Sequence, residues 1–246
     1  MRVTVLGKSP SWQDAGGACS GYLVQDADTT LLLDCGNGVF GKLRSLVDYT
    51  SVDAVVLSHL HADHFLDLVP FSYALTYSPQ RSGARPVLHA PPGAGEIFRR
   101  IVGAWGNDDL VDSAFDLREY SGSEELAVGS LRVRFGLVAH FVQTFAVELS
   151  AGAGRFVFGA DTGPSDGLVG FATGAEVLMV EATLESPDEG HLTAEQAGEH
   201  AARAGVGRLV LTHITDELDA ERAREAAAAS FGGPVEVARE GATYEL

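Results

Sequence analysis

Three histidines and one aspartate crowd into six residues, His59-Leu60-His61-Ala62-Asp63-His64, starting two positions after the apolar run Ala54-Val55-Val56-Leu57. This cluster constrains the fold more than any other feature. A buried strand must end here and deliver ligand-type side chains into one turn. Neutral imidazole nitrogen and carboxylate oxygen suit borderline divalent ions, zinc above all. In an extended segment residues 59, 61 and 63 point one way, and His64 is expected at the turn into a helix. Such a cluster serves two adjacent metals better than one.

Further ligand types stand at the ends of other expected strands. His140 follows Leu131-Arg132-Val133-Arg134-Phe135 and its extension Leu137-Val138-Ala139. Asp161 ends Arg155-Phe156-Val157-Phe158-Gly159-Ala160, and His213 ends Leu209-Val210-Leu211-Thr212. Loops at matching strand ends can converge on one rim of a sheet. His89, expected as a strand-end packing residue, and His200, expected on a helix face, are assigned to no metal.

With these motifs the sequence resembles the metallo-β-lactamase-fold hydrolases over nearly its whole length. His59 to His64 matches the family's HxHxDH signature, and His140, Asp161 and His213 match its remaining ligand motifs in order. The resemblance implies one metal on His59, His61, His140 and Asp161. It implies a second on Asp63, His64, Asp161 and His213, with Asp161 shared. Asp161 stands where the antibiotic-hydrolysing branch has cysteine, and His61 where the di-iron flavoproteins have glutamate. Both departures favour two Zn2+ ions, with Mn2+ or Fe2+ as alternatives. Glu181-Ala182-Thr183 and His191-Leu192-Thr193 look like the paired motifs of the ribonuclease Z and cyclic-nucleotide phosphodiesterase branch. In those relatives the glutamate orients the histidine, which contacts phosphate and helps protonate the leaving oxygen. A carboxylate partner fixes a histidine's tautomer and raises its pKa, so the pairing is sound acid chemistry in its own right. Asp34, after Leu31-Leu32-Leu33, looks like the family residue that orients the ligand loop without touching metal.

Alternating strand and helix signals predict an α/β architecture, and the resemblance makes it a four-layer αββα sandwich, with residues 1–246 as a single domain. Strands are expected near 2–6, 20–25, 30–34, 53–57, 86–89, 131–138, 143–149, 155–160, 177–181 and 208–212. Helices are expected near 38–48, 65–77 and 94–104 and from Pro164, Thr193 and Asp219; Thr193 to Gln196 has capping-box spacing. The polar, acidic stretch 106–125 is expected as a connecting loop. No apolar run approaches the roughly 20 residues of a membrane span. The N-terminus reads as an immediate first strand without a signal peptide's apolar core. Cys19 and Cys35 are too few for a disulfide framework, so reduced thiols in a cytoplasmic protein are expected.

Charge bears on substrate. Seventeen Lys and Arg against 34 Asp and Glu leave a net charge of −17, whereas a protein tracking a phosphate backbone normally shows a basic stripe. The tRNA-processing relatives also carry a basic, Gly-rich arm between the motifs matching His140 and Asp161. Here that interval, Phe141 to Ala160, holds only a hairpin. The expected function is therefore dinuclear-metal hydrolysis of a small phosphodiester such as a cyclic nucleotide. Two ions about 3.5–4 Å apart would bridge a water and lower its pKa towards about 7. Asp63 would orient that nucleophile and accept its proton, and His191, held by Glu181, would serve the leaving oxygen. A tRNA 3′-processing endonuclease and a thioester or lactone hydrolase are the alternative enzymes, a non-catalytic metal-binding protein the alternative class. Extended nucleic acid and membrane are disfavoured as partners, and a homodimer is suggested by the resemblance alone.

Overall fold

The computed structural model describes residues 1–246. Its strands form two seven-stranded mixed sheets. The first holds β1 (Arg2–Gly7), β2 (Gly21–Asp26), β3 (Thr29–Leu33), β4 (Ala54–Val56), β5 (Val87–Ala90) and β6 (Asp116–Glu119), with β14 (Thr243–Glu245) beside β1. The second runs β7 (Glu125–Val128), β8 (Leu131–Val138), β9 (Thr144–Ala151), β10 (Gly154–Phe158), β11 (Val177–Glu181), β12 (Arg208–Thr212) and β13 (Val235–Val237).

Strand periodicity explains the layers. Successive side chains point to opposite faces, so a strand buried on both sides reads as a continuous apolar run. Leu31 and Leu33 enter a core between the sheets that also contains Phe156, Phe158, Met179 and Val210. Leu32 points the other way, into a core beneath α1 (Val39–Leu46), α3 (Leu68–Tyr77) and α4 (Ala94–Gly103). Val157, Leu178, Val180, Leu209 and Leu211 face α6 (Asp166–Ala172), α7 (Ala194–Ala204) and α8 (Ala220–Phe231). The αββα sandwich is thus the expected architecture. No helix is long and apolar enough to cross a membrane.

Two local expectations are corrected. Residues 106–125 are not a plain loop: they contain α5 (Leu110–Ala114) and β6, and reach the start of β7 at Glu125. Acidic residues mask the pattern there, because Leu110, Val111, Ala114 and Phe115 are all buried. Glu119 moreover accepts from the backbone N–H of Gly93 and Gly95 at 3.0 Å each, supplying the acceptor that α4's own glycine cap lacks. The helix expected at 65–77 begins earlier and is broken. α2 spans Ala62–Phe65, and α3 restarts at Leu68 with Pro70 in its first turn, where a missing N–H costs no intrahelical bond. Asp63 therefore sits on a helical turn rather than on an extended segment, while His64 lies in the helix start where it was expected. The short edge strands β13 and β14 had no sequence signal of their own. The capping box at Thr193 forms as expected, with both of its reciprocal bonds.

β3, β4 and β5 are parallel, as are β10, β11 and β12. Their C-terminal ends therefore face one rim of each sheet, and the expected site residues leave from that rim.

Candidate functional site

The strand ends converge. Donor atoms of His59, His61, His140 and Asp161 lie within 4.8 Å of one another, as do those of Asp63, His64, Asp161 and His213. Asp161 is common to both groups. All seven side chains singled out as metal ligands are brought together, with His59, His64, Asp63, Asp161 and His213 buried. Holding them takes backbone strain. Asp34, Ala160 and His213 are three of the four non-glycine residues in left-handed backbone, at φ 57°, 54° and 52°. Each lies at or beside the site, where such strain is characteristically retained. Close packing adds to it. A Cβ on Gly36 would fall 1.8 Å from the Asp63 carbonyl oxygen, so only glycine lets the loop after β3 lie against α2.

Hydrogen bonds decide which ring nitrogen faces the centre. His64 Nδ1 lies 2.7 Å from Asp34 Oδ2, to which it donates. Ser58 donates its hydroxyl proton to the same oxygen at 2.8 Å, which leaves its oxygen to accept a hydrogen bond from His59 Nδ1 at 3.1 Å. His140 Nδ1 donates to the Gly190 carbonyl at 2.7 Å. Thr183 donates to the His213 carbonyl and is left to accept from His213 Nδ1 at 2.8 Å. In all four rings Nδ1 is occupied and Nε2 is turned inward, as in histidines that ligate metals. Sequence reasoning gave Ser58 and Thr183 no role of their own: Ser58 is signalled only by adjacency to His59, and Thr183 only as the last residue of Glu181-Ala182-Thr183.

The centre is built for positive charge. His59 Nε2, His64 Nε2 and Asp161 Oδ1 are buried with no hydrogen-bond partner. His64 Nε2 and Asp161 Oδ1 approach to 3.2 Å without hydrogen-bonding geometry, so either a proton or a metal cation is needed between them. Burial opposes a charge on His64, yet Asp161 and Asp34 push its pKa well above the ordinary range. Burial likewise opposes the Asp161 carboxylate, but His213 and His64 hold it well below its usual range. Burial keeps His59 neutral, reinforced by repulsion from His64, and burial also lowers His61 and His140. The neutral imidazoles of His59, His61 and His140 beside the ionised Asp161 carboxylate fit a divalent cation.

Glu181 and His191 complete the site. His191 Nδ1 lies 2.9 Å from Glu181 Oε1, and the buried carboxylate also accepts from the N–H groups of Thr162 at 2.7 Å and Leu192 at 3.3 Å. Burial works against a charged His191, but Glu181 raises its pKa above the ordinary value. Burial raises Glu181 itself, although the bond from His191 opposes this. The His191 ring stands 4.9 Å from His140 and 6.0 Å from His213, centroid to centroid. His191 thus flanks both donor groups with one nitrogen tethered and one free. His89 and His200 stay outside the site. His200 is satisfied on both nitrogens, donating to the Gln196 carbonyl and accepting from the Ser165 N–H.

Known proteins share this arrangement of elements. The family described as the beta-lactamase superfamily domain matches residues 29–214. The probable metallo-hydrolase YhfI of Bacillus subtilis is 31% identical over 251 residues, spanning 100% of both chains. Its crystal structure superposes with a TM-score of 0.90 at 28% identity, covering 99% of this chain and 98% of that one. Ribonuclease Z of Mycobacterium bovis is 27% identical over 267 residues, 96% of this chain and 95% of its own. A diphosphatase of the PhnP family shares the fold at a TM-score of 0.76 and 19% identity, over 100% of this chain and 97% of that one.

Proposed function

The chain belongs to the beta-lactamase superfamily of metallo-hydrolases, and from that premise we propose that it is a dinuclear zinc phosphodiesterase acting on a small phosphodiester such as a cyclic nucleotide. His59, His61, His140 and Asp161 would hold one ion and Asp63, His64, Asp161 and His213 the other. Bound ions of this kind supply Lewis acidity towards phosphoryl oxygens and make water acidic near neutral pH. The observation that carries the phosphodiester reading is the bond between His191 Nδ1 and the buried Glu181 carboxylate. An alkoxide leaving group needs a proton, and a histidine whose distal nitrogen faces the site can deliver it. Glu181 holds the Nδ1 proton and raises the pKa, favouring the doubly protonated ring whose Nε2 proton the leaving oxygen would take. Asp63 serves the other side of the reaction. Burial opposes its ionisation, but His213 and His64 hold its pKa below the ordinary value, so the carboxylate can orient the attacking water and accept its proton.

Substrate size follows from charge and shape. The net charge of −17 offers little to an extended polyanion. Between His140 and Asp161 the chain forms only the antiparallel pair β9–β10, with no room for an RNA-gripping arm. The likeness to ribonuclease Z supports a second reading, endonucleolytic tRNA processing. One experiment separates the two. Metal content would be measured together with turnover of 3′,5′-cyclic AMP and of a precursor tRNA, for wild type and His191→Ala. Two zincs per chain and cyclic AMP hydrolysis that collapses in His191→Ala, metal retained, is the expected result. Cleavage of tRNA alone would replace the reading with the second one, and full activity in His191→Ala would remove the acid role.

A further inference from the structure

The segment that carries His140 also exposes apolar surface that the chemistry above does not use. Leu137, Phe141 and Val142 are three of the eight large apolar side chains left exposed in the whole chain. Phe141, at 66%, is the most exposed of them. Its ring centroid lies 5.2 Å from that of His140 and 5.9 Å from that of His191. A bare phenyl face therefore stands beside the group assigned to the leaving oxygen.

The ring is seated, not loose. A Cβ on Gly190 would fall 2.2 Å from two Phe141 ring carbons, so the phenyl rests on bare glycine backbone. The carbonyl of that same Gly190 accepts the proton of His140 Nδ1. One short contact thus fixes the phenyl relative to a site histidine. Leaving so large an apolar face in water is unfavourable, and a flat ligand covering it would recover that free energy. Stacking on an aromatic ring also needs no cation, which suits a protein with this excess of acid.

We propose that Phe141 is a positioning residue on which the base of a nucleotide substrate stacks, so that the substrate class is nucleoside phosphodiesters rather than phosphodiesters of sugars or simple alcohols. The assignment rests on the phosphodiesterase reading above. Stacking holds the base while the phosphate lies between Asp63 and His191, and it discriminates weakly among bases because every base has a π face.

The test uses the metal-loaded protein as wild type, Phe141→Ala and Phe141→Trp. Calorimetry measures binding of adenosine 5′-monophosphate and of ribose 5-phosphate, and turnover is followed with 3′,5′-cyclic AMP and with ribose 3′,5′-cyclic phosphate. Phe141→Ala should weaken adenosine monophosphate binding and raise KM for cyclic AMP about tenfold, change the two base-free ligands by less than about twofold, and Phe141→Trp should restore both values. Equal losses for base-bearing and base-free ligands would mean a structural role and overturn the proposal. So would a wild type that binds both monophosphates equally. If wild type binds adenosine monophosphate through Phe141 yet hydrolyses neither cyclic ester, the platform stands and the phosphodiesterase reading falls. Hydrolysis of both esters with equal KM would instead keep the phosphodiesterase reading and remove the platform.

Discussion

Asp34→Asn tests how the site is held. Asp34 is fully buried, and its carboxylate accepts three bonds: from Ser58 N–H at 2.7 Å, from the Ser58 hydroxyl at 2.8 Å and from His64 Nδ1 at 2.7 Å. Asparagine preserves the volume and tolerates the left-handed backbone at φ 57°. It must, however, turn an NH2 group towards one set of donors. Facing Ser58, it meets a backbone N–H that cannot move; facing His64, it meets the ring N–H. Either way a buried donor loses its acceptor and the surviving bonds lose charge assistance, costing about 3 kcal/mol. For a chain of this length that lowers Tm by about 6–12 °C. His64 is also released from its orientation, so zinc affinity should fall about 10–100-fold. Thermal melts in chelator and competition with a chromophoric chelator read the two effects separately. Asp34→Gly is the control. It relieves the left-handed strain of about 1 kcal/mol while removing all three bonds. If backbone conformation were the reason for Asp34, Asp34→Gly would melt at or above wild type. That result, or wild-type zinc affinity in Asp34→Asn, would refute the argument.

Glu181→Gln should move the alkaline limb of the kcat profile to lower pH. On the proposed mechanism activity would need His191 protonated and would be lost as pH rises through its pKa, which Glu181 raises against burial; an unmoved limb would show that the pair does not set the acid. By the same linkage the pair's contribution to stability is fully present below the unfolded histidine pKa of about 6.5 and fades as pH rises through the folded value. Thr193→Ala removes the capping box of α7 and should cost about 1 kcal/mol, seen as a lower urea midpoint; an unchanged midpoint would mean that packing alone holds the helix start. Burial, with Asp63 and Asp67 adding to it, pushes the Cys19 thiol up to about 12, and burial raises Cys35 well above its usual range. Both are free thiols. Iodoacetamide at pH 8 should leave the native protein unlabelled and modify both in urea, whereas rapid native labelling would contradict their burial.

The legible parts of this fold were those with strong local signals. Leu31-Leu32-Leu33 and Phe156-Val157-Phe158 read as apolar strands, and their side chains divide between the inter-sheet core and a helix layer. The stretch around Asp112 shows no helical signal because its acids lie on the solvent side of a short helix whose apolar side spans only Leu110, Val111, Ala114 and the adjoining Phe115. Five residues are too few for a period to emerge. The early start of α2 was hidden because His61, an atypical N-cap, opens the helix without a side-chain capping bond.

At the site, the sequence alone determined which side chains are available and which strands end beside them, since both follow from residue type and from periodicity along a few neighbours. Tertiary structure decided which atom each presents. The partner that turns His64 Nε2 inward lies 30 residues away at Asp34, the one for His140 lies 50 away at Gly190, and Asp63 meets His213 across 150. Tautomer, ring orientation and the strain at Asp34, Ala160 and His213 come from contacts between distant segments. They exist only once two sheets have stacked and brought their rims together.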